Sequence, residues 1–220
     1  MKFYWYVSEE KVDMLLPQVP LTEKQKASSK IGFNLGILKG EIAKERLSLD
    51  DKINRVKVVS NYISLIRAAG DIDSEKSWIK GTMSAFIGHF PSAKSAVFFI
   101  GNINNVNLVL GGSTANLVSK ANSEDVGYGQ SYLPTLIDNM HSCITSGEFM
   151  NSDTNELTKR LTSGVGHPES PSPWFELIDK LQGFKKEPLV EIEFLAKILV
   201  KKDQGGHKSI LATPLYISTD

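Results

Sequence analysis

One cysteine, Cys143, occurs in 220 residues. A lone thiol excludes an intramolecular disulfide and any zinc site built from several cysteines, and it fits a reducing compartment. Histidine is scarce as well. His89, His141, His167 and His207 fall in four separate predicted elements, and none stands in an H-x-x-x-H or H-E-x-x-H spacing, so no metal site is expected. His141 and Cys143 form no catalytic pair, because residues two apart on a helix point in different directions. Net charge is absent: Lys plus Arg and Asp plus Glu number 25 each. No global field therefore draws in a polyanion or an anionic membrane, and nucleic acid is not an expected partner. The nearest local cluster, Lys201, Lys202, His207 and Lys208 around Asp203, reads as a solvated hairpin tip.

Long apolar runs are missing too. No stretch approaches the ~18 residues a membrane span needs. The apolar start, Met1 to Val7, is too short for the core of a signal peptide. A cytoplasmic protein without a membrane segment is expected. Standard catalytic fingerprints are absent: no lysine follows the glycines as in a P-loop, no G-x-G-x-x-G spacing occurs, and no G-x-S-x-G elbow is present. These absences favour a protein that is not an enzyme and that needs no cofactor.

A chain of this length buries roughly 70–75% of its unfolded surface, so one domain over residues 1–220 is the simplest division. Residues 2–7 are aromatic and β-branched on both faces, as a strand between two layers requires. Ser8 can cap a helix with Glu9 and Glu10 in its first turn, which Pro17 and Pro20 stop. A strand is expected from Ile31 to Ile42, with alternation at Phe33, Leu35 and Ile37. Ser48 and Asp51 open a helix on which Ile53, Val56, Val59, Ile63 and Ile66 recur at helical spacing until Gly70.

Trp78–Ile87 and Ser95–Gly101 read as strands. Val106–Leu110 pairs back through Asn102-Ile103-Asn104-Asn105, whose asparagines tolerate left-handed backbone. Further helices are expected over Ser131–Gly147, Asp153–Leu161 and from Ser172 to Gly183, with a loop over Gly164–Pro173. The clearest strand comes last. Ile192, Phe194, Ala196, Ile198 and Val200 alternate with Glu191, Glu193, Leu195, Lys197 and Leu199, and Ser209–Ser218 pairs back after a glycine turn. Hairpins and helices in separate runs predict an α+β fold: a single domain, mainly an antiparallel sheet packed by about four helices.

Two places carry candidate chemistry. At Gly111-Gly112-Ser113-Thr114 a strand meets a short helix capped by Ser113, where backbone amides could approach an anion. Glycines ending a hairpin also serve backbone angles alone. On the last strand Glu191, Glu193 and Lys197 project from one polar face, where two neighbouring carboxylates could raise one another's pKa for acid–base work or form part of an ordinary cross-strand ion pair. Tyr4, Trp5 and Tyr6 could stack bases, but the basic setting for it is missing.

Three segments are similar to a known family. They are Tyr6-Val7-Ser8 running into Lys11 to Pro20, then Gly111-Gly112-Ser113, then Glu193-Phe194-Leu195-Ala196-Lys197 with Thr213-Pro214-Leu215-Tyr216-Ile217. Together they resemble the bacterial domain of unknown function 7019. The resemblance implies a bacterial cytosolic protein and brings no activity or catalytic residue with it. The expected function is a non-catalytic binding or regulatory module, in a defence or signalling setting, for a small anionic ligand or a partner protein. An enzyme acting on a nucleotide or phosphoester and a structural homo-oligomer subunit are the alternatives.

Overall fold

Period-two alternation of apolar residues makes a strand with one wall to bury, and the five long strands among the described residues bury that wall by closing on one another. In the computed structural model residues 2–31, 49–89, 95–118, 178, 182, 188–204 and 206–220 are described. Their order is β1 (Phe3–Val7), α1 (Glu9–Leu15), α2 (Leu21–Ile31), α3 (Leu49–Leu65), β2 (Ala69–Gly70), β3 (Trp78–His89), β4 (Ala96–Ile103), β5 (Val106–Ser113), β6 (Val190–Gln204) and β7 (His207–Thr219).

Strands β3, β4 and β5 are successive antiparallel neighbours, and β6 returns antiparallel to β3. That order is a Greek key. β7 then pairs back on β6 and closes the barrel by running parallel to β5. β1 extends the wall along the far half of β7, and β2 adds a short parallel pair to β3. The expected antiparallel sheet is thus a closed barrel with two parallel pairings. Pairing β5 with β7 links segments a hundred residues apart in sequence, which no local pattern could reveal.

The barrel interior is filled from alternate positions, among them Tyr6, Ile79, Phe99, Leu108, Leu110, Phe194, Ala196 and Ile217. A second apolar layer lies outside. Val12, Leu16, Val56, Val59 and Ile63 of the helical side pack on Trp78, Leu195 and Leu215 of the wall. This explains why Leu195 breaks the polar row of β6: it faces helices, not water. Ion pairs from α3 to α1, Lys52–Glu9 and Arg55–Asp13, hold the two helices together at this layer's rim.

Several boundaries follow their expected signals. Asn104 and Asn105 both take positive φ, 47° and 62°, in a two-residue loop between β4 and β5; β4 runs further into the turn than expected, to Ile103, while β5 starts at Val106 as expected and continues past Leu110 to Ser113. Pro17 converts the end of α1 into a 3-10 turn over Leu16–Gln18. Pro20 does not end the helical region but opens α2, its carbonyl accepting from the amides of Glu23 and Lys24. The polar stretch before Ile31 is therefore helical, and the expected strand from Ile31 falls outside the described residues beyond Ile31 itself. α3 ends at Leu65, five residues before Gly70. Arg67 takes φ 52°, while the Ala68 and Arg67 amides donate to the Ile63 and Ser64 carbonyls. This is a Schellman ending with arginine where glycine is usual, so Ile66, expected in the core, is exposed.

The expected helices at 131–147 and 153–161 and the loop at 164–173 lie outside the described residues. Of the helix expected to run to Gly183, Ile178 and Gln182 are described, and both are helical. Ile178 is buried, and Gln182 Nε2 donates to the carbonyls of Gly101 and Leu108 at 3.0 and 3.4 Å. Gln182 is thereby fixed against the β4–β5 end of the barrel.

Candidate functional site

The glycine motif belongs to strand β5, not to a turn. Gly111, Gly112, Ser113 and Thr114 are all buried. Ser113 does cap the next turn, its Oγ accepting from Ala115 N at 3.2 Å, but that turn is a three-residue 3-10 segment, Thr114–Asn116. Gly112 is explained by space. A Cβ there would stand 2.4 Å from the Tyr6 hydroxyl and 2.6 Å from its ring. Tyr6 fills the barrel mouth, edge-on to Phe99, and its hydroxyl accepts from Asn116 Nδ2 at 3.1 Å.

Five-stranded Greek-key barrels that bind oligonucleotides do so over their second and third strands. Here those strands are β4 and β5, and they are buried from Ala96 to Gly101 and from Leu108 to Ser113. The polar groups of interest gather on the opposite wall, formed by β6, β7 and β1.

On that wall Glu193 and Lys197 do share the outer face, as their spacing predicts. They stand about 13 Å apart along the strand, with buried Leu195 between them under the helices. Each has its own surroundings. Glu193 lies opposite Ser218, which in turn lies opposite Tyr4. Its carboxylate accepts from Lys2 Nζ and from the Tyr216 hydroxyl, the latter at 3.0 Å. Burial pushes the Glu193 carboxyl up, but the hydrogen bonds from Lys2 and Tyr216 and the Lys2 charge outweigh it and hold the group below its ordinary range. Burial, and then the Glu193 charge, push the Tyr216 phenol up. The Ser218 hydroxyl, fully buried, has no hydrogen-bond partner among the described residues.

Lys197 is exposed and pairs across the ladder with Thr213. The two therefore project from the same outer side. Thr213 is 2% exposed, and its Oγ1 has no hydrogen-bond partner among the described residues, a state that costs roughly 1–3 kcal/mol for a buried hydroxyl. On the other side of β7 the last registered pair with β5 is Leu110–Ala212. Gly111 and Thr213 are the next residues of those two strands. Closure of the barrel thus brings the near end of the glycine motif and Lys197 to either side of one orphaned hydroxyl.

Lys11, in α1, is tied to β7 through Ser8. Leu215 is the extra residue of a β-bulge beside Pro214, and its carbonyl accepts from Ser8 N at 2.9 Å, which fixes where α1 begins. Ser8 is the N-cap by position, yet its hydroxyl makes no bond to a backbone amide. It accepts instead from Lys11 Nζ at 3.2 Å. Partial burial lowers the Lys11 amine to about 8; Glu10 opposes this shift and the charge of Lys197 adds to it. Lys11 and Lys197 are thus near enough to repel one another. Lys2, Lys11, Thr213, Tyr216 and Ser218 were not among the residues singled out for chemistry from the sequence. All five lie in segments that carry the family likeness or beside them, but only strand register shows which of them meet.

Fold and wall together define a class: a closed five-stranded Greek-key barrel, extended by an N-terminal strand and covered on one side by helices. Residues 2–220 match the family of unknown function DUF7019, and the chain belongs to that family. No curated protein and no solved structure matches the chain.

Proposed function

We propose that the protein is a non-catalytic binding module for a small anion, such as a phosphate or carboxylate group, taken up on the outer wall between Lys197, Lys11 and Thr213. The observation that carries this reading is the buried Thr213 hydroxyl, without a hydrogen-bond partner among the described residues, directly across from Lys197. An oxyanion would accept from that hydroxyl and lie between two ammonium groups that otherwise repel one another. We place the module in the bacterial cytoplasm, in a regulatory setting such as defence or signalling.

The burial of Gly112 and Ser113 within β5 speaks against the alternative of an enzyme acting on a nucleotide or phosphoester, in which their backbone amides would hold the phosphate and Glu193 or Lys197 would transfer the proton. Association through β1 is a second reading, favoured by Phe3 and Trp5, which are 64% and 42% exposed on this outer strand. Light scattering that gives the monomer mass at every concentration would remove it.

Thermal shift against inorganic phosphate, acetate and mononucleotides tests the leading reading. Binding to the folded state raises Tm by mass action. The rise should be present in the wild type and reduced in Lys197→Ala and Thr213→Val. Equal shifts in all three proteins, or no shift with any anion, would refute it.

A further inference from the structure

A second orphaned hydroxyl of the outer wall lies away from the anion site. Ser218 Oγ is fully buried and has no hydrogen-bond partner among the described residues. Its neighbours across the ladder are Glu193 on β6 and Tyr4 on β1, so all three project from one face. Lys2 starts on the β1 side, yet its Nζ reaches the Glu193 carboxylate. Adjacent strands lie about 4.8 Å apart, so these two side chains meet above β7, over Ser218. Two rings stand beside them. Tyr4 and Tyr216 meet edge to face, with centroids 5.7 Å apart and planes at 63°, and the Tyr216 hydroxyl donates to Glu193 at 3.0 Å. Burial pushes the Tyr4 phenol up, and the charges of Lys2 and Glu193 also act on it, which places it at the same pair.

We infer that this corner is a second binding site, for a primary alkylammonium group, and that Lys2 occupies it as a tethered stand-in until an outside amine displaces it. Each part of the corner suits that ion. The Glu193 carboxylate supplies the opposite charge and accepts a charge-assisted hydrogen bond. The phenol rings attract a cation to their faces. An ammonium has three N–H donors, and the orphaned Ser218 oxygen accepts one that the carboxylate leaves over. Calcium and magnesium take six or more oxygen ligands, for which a single carboxylate is a poor set; no group of three His, Cys, Asp or Glu fit to hold a metal ion occurs among the described residues. Lys2 is placed to give way. It precedes the first residue of β1 and its side chain is 43% exposed, so it can swing out without breaking the ladder. Buried Leu195 separates this corner from Lys197, and the two sites stand or fall independently.

Titration of the full chain with n-butylammonium chloride, followed through the ring-proton resonances of Tyr4 and Tyr216, tests the inference against sodium chloride at equal ionic strength. Lys2→Met removes the tethered ammonium but keeps an unbranched stem, so it should bind butylammonium about tenfold more tightly than the wild type. Adding Glu193→Gln to Lys2→Met should abolish binding, and adding Ser218→Ala should weaken it severalfold. The wild type gives a readout that needs no variant: saturating butylammonium should shift the same two rings and release Lys2, whose ε-methylene resonance moves to its free position. Cadaverine and a lysine-containing tripeptide, run in the same titration, distinguish a free diamine from a peptide side chain as the source of the ammonium. Equal affinity in the wild type and Lys2→Met overturns the inference, as do ring shifts no larger than those sodium produces. Binding that survives Glu193→Gln overturns it as well.

Discussion

Lys11 and Glu193 show, at the scale of single residues, how one wall shifts two charges in opposite senses. The folded state holds Lys11 near 8, below its ordinary 10.5. Between those values the unfolded chain binds more protons, so stability from this group rises with pH across that window and is lowest below it. Lys11→Met removes that rise. Relative to the wild type, the variant should lose about 1–3 kcal/mol between pH 7 and pH 10.5 in urea titrations. Glu193 has the opposite sign: its lowered pKa stabilises the fold above the ordinary carboxylate value, and the benefit is lost as pH falls through the folded value. Because the carboxylate is partly solvated, Glu193→Gln should cost only about 0.5–1 kcal/mol at pH 7. The same comparison at pH 2.5 should show almost no difference.

The ends and crossings of elements give two further tests. Arg67 occupies a left-handed position that strains any residue with a Cβ. Arg67→Gly should raise stability by about 0.5–1 kcal/mol, the relief of strain less the added freedom of the unfolded chain. Gly112 is the reverse case, since its lack of a side chain admits the Tyr6 ring. Gly112→Ala should lower stability by about 1–3 kcal/mol through overpacking, read from Tm or a denaturant midpoint. The element periods were legible in the sequence. Val56, Val59 and Ile63 are buried as their spacing requires, and Ile192, Phe194 and Ala196 face the barrel interior. The end of α3 was not legible, because arginine gives no warning of a positive φ and Gly70 offered a plausible stop.

Taking the molecule as a whole, β7 is the strand on which closure depends, pairing with β6, β5 and β1. Two of those three pairings join residues about a hundred or more positions apart, so loop-closure entropy precedes any reward from contact. Refolding by stopped flow is therefore expected in the millisecond-to-second range, slower than for helical proteins of like stability. Amides of β1 and β7 should become protected together, and protection of β1 well before β7 would contradict this view. The loop after β2 is tied to the far hairpin by Lys208 with Asp73 and Lys201 with Glu75. These pairs show that the lysine cluster near Asp203 is engaged locally, and being partly exposed they add little stability.

By itself the sequence determined what depends on near neighbours: the strand and helix periods, the asparagine turn, the capping role of Ser113, and the shared outer face of Glu193 and Lys197. Each of these reflects backbone geometry within a few residues. Tertiary structure decided whatever depends on register between distant strands. It closed the sheet into a barrel, turned Gly112 from a supposed amide cradle into space for Tyr6, placed Leu195 under helices between Glu193 and Lys197, and set Thr213 between Lys197 and Gly111. The physical reason is that side-chain periodicity specifies which face of a strand is buried, but not which strand lies beside it.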